Sequence, residues 1–212
     1  MIRMVVALPA EARPLIAHFG LERLSQADPL AIYHRADIAL IVCGPGSEAA
    51  ARAVCDLCEV AECDSPCSWI NIGVAGHRTL EIGTPVLAVE VRSGAAAEPI
   101  ALAPPELSCE TGSLCTVDRI ELGFEGDSIY EMEAFGFCSE AMKRSDRSLV
   151  QVLKIISDNL QTGAGYVSAR AVQNLIESAI PLIDRLIYQQ NRAARQVAAQ
   201  RNHESPEADN GR

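Results

Sequence analysis

Aromatic side chains are scarce in this chain of 212 residues: Phe, Tyr and Trp together make up 4%, with a single tryptophan. An interior built without large rings must come from Ala, Val, Leu and Ile. Hydrophobic residues at 49% are enough for one sizeable core. Basic excess is also missing. Lys and Arg number 18 against 28 Asp and Glu, a formal net charge of −10. That removes the electrostatic attraction on which nucleic-acid binding rests, and it disfavours an anionic membrane surface. No apolar run approaches the ~18 residues a spanning helix needs. The opening "MIRMVVALPAEARP" is a short apolar run followed by Glu11 and Arg13. It reads as a first strand and not as an export signal, which gives the expectation of a cytoplasmic protein. Cysteine is not lacking. Eight are present, and in a long chain with its own core and no export signal they are expected to be free, mostly buried thiols.

What is present alternates between two periods. "IRMVVALP" (2–9) is a short β-branched apolar run and reads as a buried strand. "AEARPLIAHFG" reads as a helix with Leu15, Ile16 and Phe19 on one face and Gly20 at its C-cap. Pro14 suggests that it is regular only from about Arg13. "LAIYHRADIALIVCG" reads as two strands with a turn at 35–37, and "PGSEAAARAVCDLCEV" as a glycine turn and an alanine-rich helix capped by Ser47. "SWINIGVAG" and "GTPVLAVEVRSG" are strands, and "EPIALAPPEL" a short strand and an irregular connection. "GSLCTVDRI" and "SIYE" follow as strands, the second running into a helix "MEAFGFCSEAMKR". "LVQVLKIISDN" is a buried strand, "TGAGYVSA" a loop, and residues 168–200 a long helix with Pro181 as its expected kink. The tail "RNHESPEADNGR" (201–212) has almost no apolar content and is expected to be disordered. The alternation predicts one α/β domain over 1–200, a three-layer α/β/α sandwich with a central mixed, twisted sheet.

In such sheets ligands gather at the carboxyl ends of strands. Four predicted strand ends carry polar or glycine residues: Glu11, Gly73 to Gly76, Glu131 to Glu133, and Ser157–Asp158. Each has an ordinary explanation on its own. Ser and Asp cap helices, and a glutamate in a first helical turn meets the macrodipole. Two glutamates in "YEMEA" are harder to explain that way.

The order of these pieces resembles the purine nucleoside/uridine phosphorylase superfamily. "ALPAE", "NIGVAG", "YEMEA" and "IISD" occur in sequence, and the pattern looks closest to the 5′-methylthioadenosine/S-adenosylhomocysteine nucleosidases. Those carry A-M-x-x-E, N-T-G-S-A-G, V-E-M-E-A and R-A-I-S-D at similar spacings. The similarity runs from about Ile2 to Leu186 and implies a nucleoside phosphorylase-like fold. It implies that Asp158 protonates or hydrogen-bonds N7 of a purine, so that the base leaves neutral. It implies that Glu133 binds the ribose hydroxyls, a fit for an acceptor-only carboxylate facing a diol. Met132 would pack against the sugar, and Glu11 would hold the attacking water. Glu131, Ser157, Gly76, Val74 and Ala75 fall in the same motifs, and Arg119 and Ile120 in the stretch that grips the base. The resemblance implies a small-molecule nucleoside substrate, no cofactor and a homo-oligomer.

Hydrolysis is favoured over phosphorolysis, because Glu11 stands where phosphate would sit and repels it. Arg13 and Arg78 read as solvated surface charges. The chain departs from the pattern at Val74 (usually Ser), Lys154 (usually Arg) and Arg119, where an aromatic partner for the base is expected. It is also short between Val91 and Leu114, where a lid usually lies. A more open pocket suits a bulky or apolar 5′-substituent, as in the short hopanoid-associated relatives; a futalosine-type nucleoside is another option. A phosphate-dependent phosphorylase and a nucleoside-binding protein with little catalysis remain the competing readings. Cys55, Cys58, Cys63 and Cys67 invite a metal reading, but the spacing is not that of paired knuckles. His77, just after the glycine turn, is expected at the surface, and Cys138 in the core.

Overall fold

The computed structural model describes residues 1–25, 30–60, 66–94, 98–162 and 167–204. Half of the loop "TGAGYVSA" (163–166) therefore lies outside the described residues, as does the tail beyond Glu204. Strand β1 (Ile2–Val6) is buried throughout and leads into helix α1 (Pro9–Phe19). The helix begins at Pro9 and not near Arg13. A proline in the first turn lacks only an N–H that would have no helical partner anyway, and Pro14 is accommodated within the helix. Gly20 closes it in the left-handed conformation (φ 60°), its N–H bonded to the Ile16 carbonyl.

A short strand β2 (Glu22–Arg23) and the hairpin β3 (Ala31–Arg35) and β4 (Ile38–Val42) come next, then helix α2 (Ser47–Val60). Strands β5 (Ser68–Gly76), β6 (Pro85–Ser93), β7 (Ile100–Ala101), β8 (Glu110–Thr116) and β9 (Ile129–Glu131) follow. Helix α3 (Ala134–Ala141), strand β10 (Val150–Asp158) and helix α4 (Ala169–Glu204) complete the chain. Helix α4 thus continues into the stretch expected to be tail.

The sheet order is β10-β6-β8-β9-β5-β1-β4-β3-β2, with β7 on β6. Strand β10 also pairs with β5, so β5, β10, β6, β8 and β9 close on themselves. Strands β4, β1, β5 and β10 are mutually parallel, and β6, β8 and β9 form a parallel set of the opposite sense. The sheet is therefore mixed, as expected. One apolar layer packs Leu15 of α1 with Ile176, Ile183 and Leu186 of α4 against Met4, Ile70 and Leu153. The other packs Ala50, Val54 and Leu57 of α2 with Phe137 of α3 against Val5, Val152 and Ile156. Two helical layers on one sheet give the three-layer sandwich. The second layer is tight: a Cβ on Gly136 would stand 1.9 Å from the Ser47 carbonyl oxygen. Among the described residues no helix is long and apolar enough to cross a membrane.

Candidate active site

The parallel set fixes where the site lies, because β1, β5 and β10 end at one edge. Strand β1 is followed by Ala7–Leu8, while β5 ends in Val74 to Gly76 and β10 in Ser157–Asp158. A cavity of about 310 Å³ opens there. Glu11, Met132, Glu133 and Asp158 line it, as do Val74, Ala75, Gly76, Ser157, Ile120 and Glu131. Arg119 does not line the cavity and is exposed. Strand β8 ends at Thr116, and the loop beyond it brings Ile120 to the cavity while its neighbour Arg119 stays in solvent.

Glu11 is 2% exposed. Its Oε2 accepts the Ala7 and Leu8 N–H groups at 3.0 and 2.8 Å, closing the first turn of α1. Its Oε1 accepts the Val74 N–H at 3.0 Å. Burial pushes its carboxyl above the usual range; the Lys154 ammonium and the backbone donors oppose that only in part. Gly73 is a condition of this arrangement. A Cβ there would meet Glu11 Oε1 at 2.8 Å and Lys154 Nζ at 3.3 Å.

Lys154, in the middle of β10 and 1% exposed, holds the acids together. Its ammonium lies 3.0 Å from Glu131 Oε2 and 3.3 Å from Glu133 Oε2. Burial alone would lower its pKa, but Glu131, Glu133 and Glu11 reverse the direction and raise it, so it stays charged. Its signal in the sequence was a lysine inside the apolar run "VLKII", where an unpaired charge is not tolerated.

The two glutamates of "YEMEA" separate by role. Glu131 Oε2 accepts the Glu133 and Ala134 N–H groups at 2.9 and 2.8 Å, capping α3, and Thr116 donates its hydroxyl to Oε1. Burial disfavours its charge, yet Lys154, Thr116 and the Glu133 N–H hold the carboxyl below the ordinary range. With both oxygens taken, Glu131 braces the turn. Glu133 accepts the Gly46 N–H at 3.1 Å on Oε1 and meets Lys154 on Oε2, which leaves each oxygen a free lone pair. Gly46 reaches it from a positive φ of 111°.

At the other end, Ser157 donates its hydroxyl to Asp158 Oδ1 at 2.6 Å. A Cβ on Gly76 would lie 3.0 Å from Asp158 Oδ2 and 2.4 Å from the Phe124 ring. Phe124 was not anticipated. It is 1% exposed, adopts a positive φ of 45° and lines the cavity with Tyr130, its ring centroid 6.0 Å away. An aromatic wall is therefore present, supplied five residues after Arg119.

His77 is buried, not at the surface. Its Nδ1 accepts the Thr79 and Leu80 N–H groups at 3.1 and 3.0 Å, which folds the turn after β5. Cys138 is buried as expected, and Cys43, Cys55, Cys58, Cys109 and Cys115 are also free thiols. Burial, then Glu133, pushes the Cys43 thiol up to about 12, so it remains protonated. Cys67 is disulfide-bonded, contrary to the expectation of free thiols; a sizeable core of its own does not exclude a cross-link. Cys63 lies outside the described residues, and among the described residues no His/Cys/Asp/Glu group is arranged to hold a metal.

No family model and no curated protein matches the sequence. Solved structures do match the fold. The apo 5′-methylthioadenosine nucleosidase of Arabidopsis thaliana superposes with a TM-score of 0.73 at 18% identity, over 90% of this chain and 95% of that one. A mutant Helicobacter pylori nucleosidase with 5′-methylthioadenosine in its active site gives 0.70 at 12% identity, over 89% and 98%. A mutant futalosine hydrolase of Helicobacter pylori gives 0.68 at 13%, over 89% and 98%. The fold is that of these nucleosidases, nearly end to end.

Proposed function

We propose that a chain with this fold and this cavity is a nucleosidase, hydrolysing the N-glycosidic bond of a purine nucleoside, an adenine nucleoside with a 5′-substituent. One observation carries the reading: Glu11, Glu133 and Asp158, from three distant parts of the sequence, line a single cavity. The nucleosidases and the futalosine hydrolase that share the fold support it.

In this reading Asp158 is the acid. Ser157 occupies Oδ1, and Oδ2 faces N7 of a base lying along Gly76 and Phe124. Protonating N7 lets the base leave without negative charge as a ribooxocarbenium-like centre forms at the sugar. Glu133 accepts the ribose hydroxyls with its remaining lone pairs, and Met132 packs on the ring. Glu11 takes the proton of the attacking water. A carboxyl whose pKa burial has raised is a stronger base, once ionised, than an ordinary one.

Water is favoured over phosphate because no Lys, Arg or His is among the described residues lining the cavity. Arg13 and Arg78 are exposed and outside it. The test is incubation of the whole chain with 5′-methylthioadenosine, S-adenosylhomocysteine, adenosine and 5′-deoxyadenosine, with assay of free base and sugar. Free reducing sugar without added phosphate, abolished in Asp158→Asn, is expected. Turnover that survives Asp158→Asn, or that requires phosphate and yields a sugar 1-phosphate, overturns it.

A further inference from the structure

The acids around the cavity outnumber what the proposed chemistry needs. Glu11, Glu131, Glu133 and Asp158 have stated roles, but Glu121 lines the same wall beside Tyr130 and Phe124 and serves none of them. Its Oε1 accepts the Gly123 N–H at 2.7 Å, and among the described residues Oε2 takes no hydrogen bond. Its charge reaches Tyr130, contributing to the upward shift of that phenol, which burial leads.

Beyond Pro45 and Met132, which belong to both, lies a second cavity of about 730 Å³. Glu48, Asp56 and Asp118 line it against one base, Arg52. The N-terminus of α2 opens here and would ordinarily attract an anion. That attraction is already spent, since the Gly46 N–H is bonded to Glu133 and Glu48 sits in the first turn. Among the described residues the sole lysine near the site, Lys154, is buried and shared between two glutamates.

We propose that the site cavity, with the acidic cavity that adjoins it, selects nucleosides by charge: it takes neutral or cationic 5′-substituents and rejects those bearing a carboxylate or phosphate, with Glu121 on the site wall as the residue that sets the selection. This rests on the nucleosidase reading and narrows its substrate class. A donor-bearing or cationic group finds the open carboxylate oxygen of Glu121 on the wall beside Tyr130. An anion meets Glu121 on the wall and, in the adjoining cavity, Glu48, Asp56 and Asp118 against the single base Arg52, so like charge predominates; a like charge at contact is worth on the order of tenfold in affinity at low salt.

The test uses three adenosine 5′-thioethers of similar size, ending in hydroxyethyl, aminoethyl and carboxymethyl groups. Both kcat/KM and Kd by calorimetry are measured for the wild-type chain, Glu121→Gln and Glu121→Lys at low and high ionic strength. The neutral and amino forms are expected to exceed the carboxylate by at least about tenfold at low salt, with the gap shrinking as salt is added. Glu121→Lys narrows the gap about tenfold, and Glu121→Gln narrows it less. Equal use of the carboxylate form at low salt, or a gap that Glu121→Lys leaves unchanged, overturns the proposal. If no compound is turned over but the Kd order holds, charge selection stands and the hydrolase reading falls. If all are turned over equally, the reverse applies.

Discussion

Replacing Lys154 with methionine keeps the length and volume of the side chain and removes its charge. The ammonium it deletes lies 3.0 Å from Glu131 and 3.3 Å from Glu133, whose side chains are 0% and 8% exposed. Both carboxylates would then be buried without a counter-ion. Breaking a buried pair from one side costs about 3–5 kcal/mol, because the surviving charge is left uncompensated. For a domain of this size each kcal/mol lowers Tm by roughly 2–4 °C, so a fall of roughly 6–20 °C is expected at neutral pH. The pH profile is the sharper readout. In the wild type Glu131 is held below the ordinary range, so its contribution is present above the unfolded pKa and is lost as pH falls through the folded value. In Lys154→Met the strongest opposing charge is gone, and burial, opposed only by the Thr116 hydroxyl and the Glu133 N–H, drives the carboxyl upward. The variant should then be most stable below the unfolded carboxylate pKa and weaken as pH rises through the new folded value. Lys154→Arg retains the charge and should lose far less. Thermal melts across the acid to neutral range decide it. A Lys154→Met protein with wild-type Tm at neutral pH, or one that is not relatively stabilised by acid, would refute the account of the ion cluster.

Further outcomes follow from contacts of Glu11, Gly76 and Gly136. Because burial raises Glu11, the acid limb of kcat/KM should fall at a pH above the ordinary carboxylate range, and Glu11→Gln should lose turnover by about 10²-fold or more in steady-state assays. The same shift makes Glu11's contribution to stability fullest below its unfolded pKa and lost as pH rises through the folded one. Gly76→Ala places a methyl 2.4 Å from the Phe124 ring and 3.0 Å from Asp158 Oδ2, so nucleoside affinity should drop while circular dichroism stays native. Gly136→Ala drives a methyl into the Ser47 carbonyl at 1.9 Å, and a destabilisation of about 1–3 kcal/mol by denaturant titration is expected from overpacking α2 against α3.

The sequence by itself determined the main elements and their order, though not the short strand β2. Period-two and unbroken apolar runs mark strands, the Leu15–Phe19 and Val172–Ile187 stripes mark helices, and Gly20 marks a stop, because these are properties of neighbours along the chain. It also marked the acids Glu11, Glu133 and Asp158, since a carboxylate at the end of a buried strand stands out against its surroundings. Only the tertiary structure decided what those acids touch. Lys154 appeared as a departure from a motif until β10 was set beside β5 and its ammonium met two glutamates. Glu131 and Glu133 are chemically identical and two residues apart. Their roles separate only because Thr116 and the α3 N–H groups saturate one, while Gly46 and Lys154 leave lone pairs on the other. Phe124 reaches the cavity through a loop whose path no local rule dictates, while Arg119, nearer in sequence to the expected position, faces solvent. Secondary structure follows short-range periodicity; a site is a set of long-range distances, and those are fixed only when the sheet closes.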